Sequence, residues 1–362
     1  MKNQRFWFVF LTGFLLTGCA ACVINEEARE SSEAETLRLM TWNVHNLFDG
    51  EDNGYEYDEF LQSSGWSVEK YLGRINTISD AIGRIDPLPD IIMLMEVESL
   101  RTLEDIALSI QNDYSRSHFA SNPGSAIGLG VISRYPLTEI KTHSISINDD
   151  TTPRPVLELR VETDTENFII FVCHWKSKIG GDVATEKTRR ASARVILRRV
   201  RELQEVEPDL GIIIAGDLNI NHDEFYKQNT SMICALLPDD PYCAQLSSQI
   251  EFAGEQKDFL VISKNTPPVP VHFPKDTVVF YSPWMNELEN GSYFYRNNWE
   301  TIDHLLVSNQ FFNNKGWEYE KTVIINFEPF ANANGMPVSY NSRSGLGLSD
   351  HLPLLMTLKN IN

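Results

Sequence analysis

Residues 211–219 read Gly211-Ile212-Ile213-Ile214-Ala215-Gly216-Asp217-Leu218-Asn219. A short, continuous apolar run bounded by glycines is the pattern of a strand covered on both faces. Its tip carries Asp217 and Asn219, two apart and therefore on one side of an extended chain. An acid and an amide converging there suit a general base beside a phosphate or oxyanion donor. Polar residues placed just past a buried strand recur along this chain. That is where α/β folds build ligand sites.

Working outward, Leu37–Trp42 is a candidate strand that enters Thr41-Trp42-Asn43-Val44-His45-Asn46-Leu47-Phe48. Asn43 offers an amide to a metal-bound oxygen or phosphate, or else caps a turn. Ile91–Met95 is another wholly apolar run, followed by Glu96-Val97-Glu98. A carboxylate at such a tip is costly unless paired or metal-bound, and a hard cation such as Mg²⁺ favours an oxygen ligand of this kind. Glu98 reads as an acid at the start of the next helix, favoured by the helix dipole. Phe168–Cys173 leads into His174-Trp175-Lys176-Ser177, where Lys176 and Lys178 provide a local anion site. Thr301-Ile302-Asp303-His304 and Ser349-Asp350-His351-Leu352-Pro353 each set an Asp beside a His, a pairing that binds metal or orients an imidazole. Each motif alone also fits a strand-end turn or cap.

Between these tips the chain alternates. Val68, Tyr71, Leu72, Ile75, Ile78, Ile82 and Ile85 recur at helical spacing and Pro87 closes that helix. Leu100–Ile110 and Ala184–Leu203 read as further helices, and Ile127–Ser133, Val156–Val161, Ile302–Val307 and Leu352–Leu358 as strands. Residues 221–300, rich in Asn, Pro and aromatics, read as a loop-rich insertion within one domain spanning residues 37–362. Residues 176–201 hold nine Lys and Arg against Asp182 and Glu186, a net of +7. At least half of that charge is a solvated helix face. A subset, with Lys176 and Arg190 as candidates, is expected on phosphate.

The 362 residues carry 31 Lys and Arg against 50 Asp and Glu, a net charge of −19. Hydrophobic residues make up 42%, which excludes disorder, collagen and coiled coil as the main architecture. Such acidity excludes a general nucleic-acid coating role but not an enzyme that holds a cation among carboxylates. Lys2 and Arg5 precede an apolar run, Phe6 to Leu16, too short to span a bilayer. Leu16-Thr17-Gly18-Cys19 resembles a bacterial lipobox. It implies cleavage before Cys19, diacylation of that sulfur, and residues 19–36 as an acidic tether. The expected location is therefore the cell envelope, on the extracytoplasmic side, with a lipid anchor in place of a membrane span. Cys173 reads as a buried small hydrophobe, and Cys234 and Cys243 as a pair that could staple their loop outside the cytoplasm.

In this order, the six motifs resemble the endonuclease/exonuclease/phosphatase superfamily of metal-dependent phosphoesterases. The resemblance runs from about Leu37 to Leu358, with Gly216-Asp217-Leu218-Asn219 and Ser349-Asp350-His351-Leu352-Pro353 as its most specific parts. It implies an α/β fold of four layers: two mixed β-sheets face to face, with helices outside. It implies Mg²⁺ or Mn²⁺, with Ca²⁺ as a further candidate, on Glu96, assisted by Asn43 and Asp350. Asp217 would orient or deprotonate the attacking water, Asn219 and His174 would contact the scissile phosphate, and Asp303 would hold His351 against the transition state. In nucleases of this group a carboxylate supports the residue equivalent to His174. Between Tyr114 and Thr138 this chain has none, which leaves Asn122 or Ser125 as substitutes, or no support. The expected substrate is a phosphodiester, nucleic acid before phospholipid headgroup, cleaved by a monomer. A sphingomyelinase-like enzyme, an inositol or sugar phosphatase, and a silent binding lipoprotein are the alternatives.

Overall fold

Consecutive residues of the buried strands divide between different cores. Leu39, Ile91, Met93, Ile170, Val172, Ile213, Ala215 and Leu305 point into one. Met40, Trp42, Ile92 and Leu94 point into a second, and Ile169, Phe171, Ile212 and Ile214 into a third. A strand apolar on both sides needs a cover on each, so two sheets must be sandwiched and then covered again.

The computed structural model describes residues 34–110, 113–147, 153–227, 233–252 and 258–361. Its strands are β1 Thr36–Leu47, β2 Ile91–Val97, β3 Arg116–Ala120, β4 Gly128–Ser133, β5 Leu137–His143, β6 Val156–Val161, β7 Phe168–His174 and β8 Gly211–Asp217. They continue as β9 Leu236–Pro238, β10 Leu260–Ser263, β11 Val279–Tyr281, β12 Tyr293–Tyr295, β13 Asn298–Glu300, β14 Asp303–Val307, β15 Trp317–Ile324 and β16 Leu354–Asn360. One sheet has the order β15-β16-β1-β2-β4-β3 and the other β5-β6-β7-β8-β14-β11-β10-β9, while β12 and β13 form a separate hairpin. Both sheets are mixed, with β1–β2 and β7–β8 parallel among antiparallel neighbours. Helices α1 Val68–Gly83 and α2 Leu100–Ser109 cover the outer face of the first sheet. Helix α3 Asp182–Val206 covers the second. The result is a four-layered α/β sandwich, continuous from Ala34 onward.

Two expectations change. Residues 221–300 are more than loop: they supply the short helices α4 Glu224–Lys227 and α5 Pro241–Phe252 and extend the second sheet with β9, β10 and β11. Those strands are only three or four residues long, too short to show a period. Glu98 is not a first-turn acid, because Ser99 caps α2. Its carboxylate instead receives the Asp49 N–H and the Asn53 amide, at 3.2 Å for the latter, and braces residues 49–56. No helix among the described residues is long and apolar enough to cross a membrane. Cys19 and the lipobox lie outside the described residues.

Candidate active site

The parallel pairs β1–β2 and β7–β8 bring four strand tips together, and the starts of β14 and β16 meet them. Asn43 lies near the end of β1 and its Nδ2 donates to Glu96 Oε1 at 3.2 Å and to Asp217 Oδ2 at 3.1 Å. The next residues turn in the left-handed region, His45 at φ 56° and Asn46 at φ 58°. The Asn46 N–H then donates to Glu96 Oε2 at 3.0 Å. Glu96 is itself left-handed, φ 64°. A non-glycine residue in that region stores strain that its surroundings must hold; here both carboxylate oxygens are fixed by neutral amides.

Asp217 ends β8. It is buried, and its Oδ1 accepts the Asn219 N–H at 2.9 Å. Burial pushes its carboxyl up to about 7, against the pull of the His351 charge and the amides of Asn43 and Asn219. His351 Nδ1 lies 2.8 Å from Asp303 Oδ2, and its Nε2 lies 4.0 Å from Asp217 Oδ2. Burial works against the charged ring, but Asp303, with Asp350 and Asp217 adding to it, lifts the imidazole to about 10. It is therefore an imidazolium at neutral pH. Ser292 Oγ donates to the same Asp303 oxygen at 2.6 Å, and the Tyr293 ring lies 4.6 Å from the His351 ring.

His174 is the opposite case. Burial first, then Arg154, His351 and Lys176, hold its pKa well below the ordinary value. The ring is neutral, and its Nε2 lies 3.7 Å from Glu96 Oε1 and 3.6 Å from Asp217 Oδ2. Among the described residues its Nδ1 has no hydrogen-bond partner. The Asn122 side-chain amide donates to the Pro153 carbonyl at 2.8 Å, and with His174 Nδ1 unpartnered among the described residues neither Asn122 nor Ser125 takes the place of the missing carboxylate.

Residues 38–239 match the Endonuclease/Exonuclease/phosphatase family. The chain belongs to that family. No curated protein matches it. Solved structures with similar folds include truncated TDP2 from Caenorhabditis elegans, 14% identical, TM-score 0.52, over 90% of this chain and 97% of that one. An endonuclease/exonuclease/phosphatase family protein from Bacteroides thetaiotaomicron is 14% identical, TM-score 0.51, over 91% and 99%. A mannosyl-6-phosphatase from the same organism is 14% identical, TM-score 0.50, over 89% and 99%.

In this family member Asn43, Glu96, His174, Asp217, Asn219, Asp303 and His351 are joined by the contacts above. Asp350 is half-buried, its Oδ1 3.5 Å from His45 Nδ1, and its charge bears on His351. The second Asn219 contact is with protein, since its Nδ2 donates to the Trp175 carbonyl at 3.1 Å; this amide shapes the strand tips and holds Asp217. Arg190 is placed elsewhere than on a phosphate: its Nε donates to Asp258 Oδ1 at 2.7 Å. An arginine so paired reaches a phosphate only by breaking that contact. Other arginines of α3 are likewise paired, Arg189 with Glu186 and Arg199 with Glu158. Lys176 remains exposed beside the site.

Sequence reading missed Arg154 and Tyr57. Arg154 donates to the Trp175 carbonyl at 3.3 Å and its charge depresses His174, while the Tyr57 hydroxyl bonds Arg154 and feels Glu96. Arg154 sits in Thr152-Pro153-Arg154-Pro155, which carries no strand or helix signal.

The donor chemistry fits a hard divalent cation at Glu96, a carboxylate with only amide partners and a neutral imidazole near it. Ligand atoms of Asp217, Asp303 and His351 also lie within 4.8 Å of one another. That trio suits a cation poorly. The imidazolium has no free lone pair, and Asp303 is already bound to it.

Proposed function

We propose that this chain is a divalent-metal-dependent phosphodiesterase of the cell envelope, tethered through Cys19, and that its substrates are nucleic-acid phosphodiesters. The observation that supports this reading is the series Glu96–Asn43–Asp217–His351–Asp303, with His174 beside Glu96 and Asp217, which gathers these groups around one small space. Glu96, with Asn43 and Asp350, would hold a divalent cation, which would supply positive charge against the charge that builds up in phosphoryl transfer. Asp217, raised toward neutrality and fixed by two amides, accepts the proton of the attacking water. His174, neutral, donates Nε2–H to a phosphoryl oxygen without adding a charge that must be desolvated. His351, held protonated by Asp303, faces the charge that develops on phosphorus. Arg154 and Lys176 orient the anionic ester at the rim. Phosphoryl transfer depends on in-line placement and charge stabilisation more than on a protein nucleophile, and this set provides both.

The test is a panel of plasmid DNA, RNA, sphingomyelin and inositol and sugar monophosphates, each with Mg²⁺, Mn²⁺, Ca²⁺ or chelator. Cleavage of DNA or RNA that chelator abolishes is the expected result. Turnover confined to monophosphates or to the lipid would overturn the nuclease reading, and none on any substrate would leave a binding lipoprotein.

A further inference from the structure

Hairpin β12–β13 carries a row of rings that begins on the catalytic histidine. The Tyr293 ring packs 4.6 Å from His351, Tyr295 stacks on Tyr293 at 5.9 Å and 16° between planes, and the Arg296 guanidinium lies 5.0 Å from the Tyr295 ring centre. Alternation along the strand separates this face from the other. Phe294 pairs with Trp299 across the hairpin, and Trp299 packs on the core of the first sheet's outer face. The row is fixed at its foot, where Tyr293 bridges His351 and the Leu352 N–H donates to the Ser292 carbonyl at 2.7 Å. It is open at its outer end: Tyr295 is 45% exposed. Arg296 and Asn297 form the hairpin tip at φ 48° and 65°.

We infer that Tyr295, backed by Tyr293 and flanked by Arg296, is a stacking subsite for an unpaired nucleobase of the substrate, so that single-stranded nucleotide esters are preferred. The inference rests on the phosphodiesterase reading above and names the substrate class of that site. Reached from the His351 ring through centroid steps of 4.6 and 5.9 Å, the Tyr295 ring lies beyond the base of the nucleotide that carries the scissile phosphate and suits the base of a neighbouring nucleotide, with the Arg296 guanidinium over the ring to meet the intervening phosphate. Stacking on an aromatic ring requires a base that is not already stacked in a duplex. The charge of the molecule points the same way. With a net of −19 and most α3 arginines already paired, long-range attraction to a polyanion is weak, and affinity must come from short-range contacts.

The experiment compares a short thymidine oligonucleotide, the same oligonucleotide with baseless sugars, and a duplex. Turnover is measured with Mg²⁺ and binding to the wild-type protein is measured in chelator. The expected ratio of kcat/KM, base-bearing over baseless, is about 5- to 100-fold, the range one stacked base spans. In Tyr295→Ala the ratio falls toward one, and in Tyr295→Phe it is retained. A wild-type ratio near one, a ratio unchanged in Tyr295→Ala, or duplex binding as tight as single-strand binding would overturn the inference. If no substrate turns over, the phosphodiesterase reading fails separately, and the chelator arm still decides the subsite. Base-dependent binding lost in Tyr295→Ala supports it, and base-independent binding or none refutes it.

Discussion

A methyl group on Gly216 would lie 2.0 Å from the Cys173 carbonyl oxygen, on a backbone at φ 130°. β7 and β8 touch at this pair, one residue before His174 and Asp217. Gly216→Ala must therefore push apart the two strand tips that carry the site. We expect it to cost about 3 kcal/mol or more, read from denaturant unfolding, with turnover lost in the fraction that folds. His351 is the second test at this scale. Its imidazolium is expected to contribute as one oxyanion donor does, so His351→Ala should lower kcat about 10²–10³-fold while KM moves less. Asp303→Asn should also lower kcat, since a neutral amide no longer holds the charged ring. Equal activity in both variants would return the pair to a structural role.

Elements β5, β6 and α3 are tied by one acid. Glu158, on β6, is wholly buried. It receives Arg199 from α3 at 2.8 and 3.0 Å and His143 from β5 at 2.6 Å. Burial alone would raise its pKa, but the hydrogen bonds of His143 and Arg199 and the Arg199 charge outweigh that and hold it at about 2. A folded pKa below the unfolded one gives stability that is fully present above about 4.3 and is lost as pH falls through the folded value near 2. Thermal melts of the wild type should thus fall between pH 4.5 and 2 more steeply than those of Glu158→Gln. That variant should itself be less stable by roughly 2–3 kcal/mol at neutral pH, because Arg199 loses its charged acceptor. Parallel melting curves across that window would remove Glu158 as the acid-sensitive contact. Part of the basic character of α3 is thereby explained by pairing, Arg199 and Arg190 with the elements it docks against and Arg189 within the helix itself. Arg189 closes on Glu186, whose other oxygen takes the Ala235 N–H ahead of β9.

At the scale of the molecule, the proposed cation site would be coupled to the fold in one equilibrium. A ligand held only by the folded state stabilises it by about 2.7 kcal/mol at a hundred times its dissociation constant. Mg²⁺ should therefore raise the melting temperature of the wild type by several degrees and leave that of Glu96→Gln unmoved. An equal rise in both would place the ion elsewhere. By itself the sequence determined the central strands and their polar tips: β1, β2, β4, β6, β7, β8, β14 and β16 are the apolar runs, and burial on both faces leaves a local trace. It did not reveal the short strands β9 to β13, nor β3, β5 and β15, which are edges of the two large sheets. Edge strands face water and carry charge, as in Leu137-Thr-Glu-Ile-Lys-Thr-His143, so their pairing is decided by the neighbour and not by their own pattern. The same reason divides the site. Asp217, Glu96 and His174 are legible because each ends a buried run. That Asp303 holds His351 was implied by the family resemblance, and the two sheets bring the pair together across 48 positions; that Arg190 meets Asp258 and that Arg154 reaches the strand tips from an irregular loop was decided only by the tertiary fold, because contacts between distant segments leave no periodicity in either one.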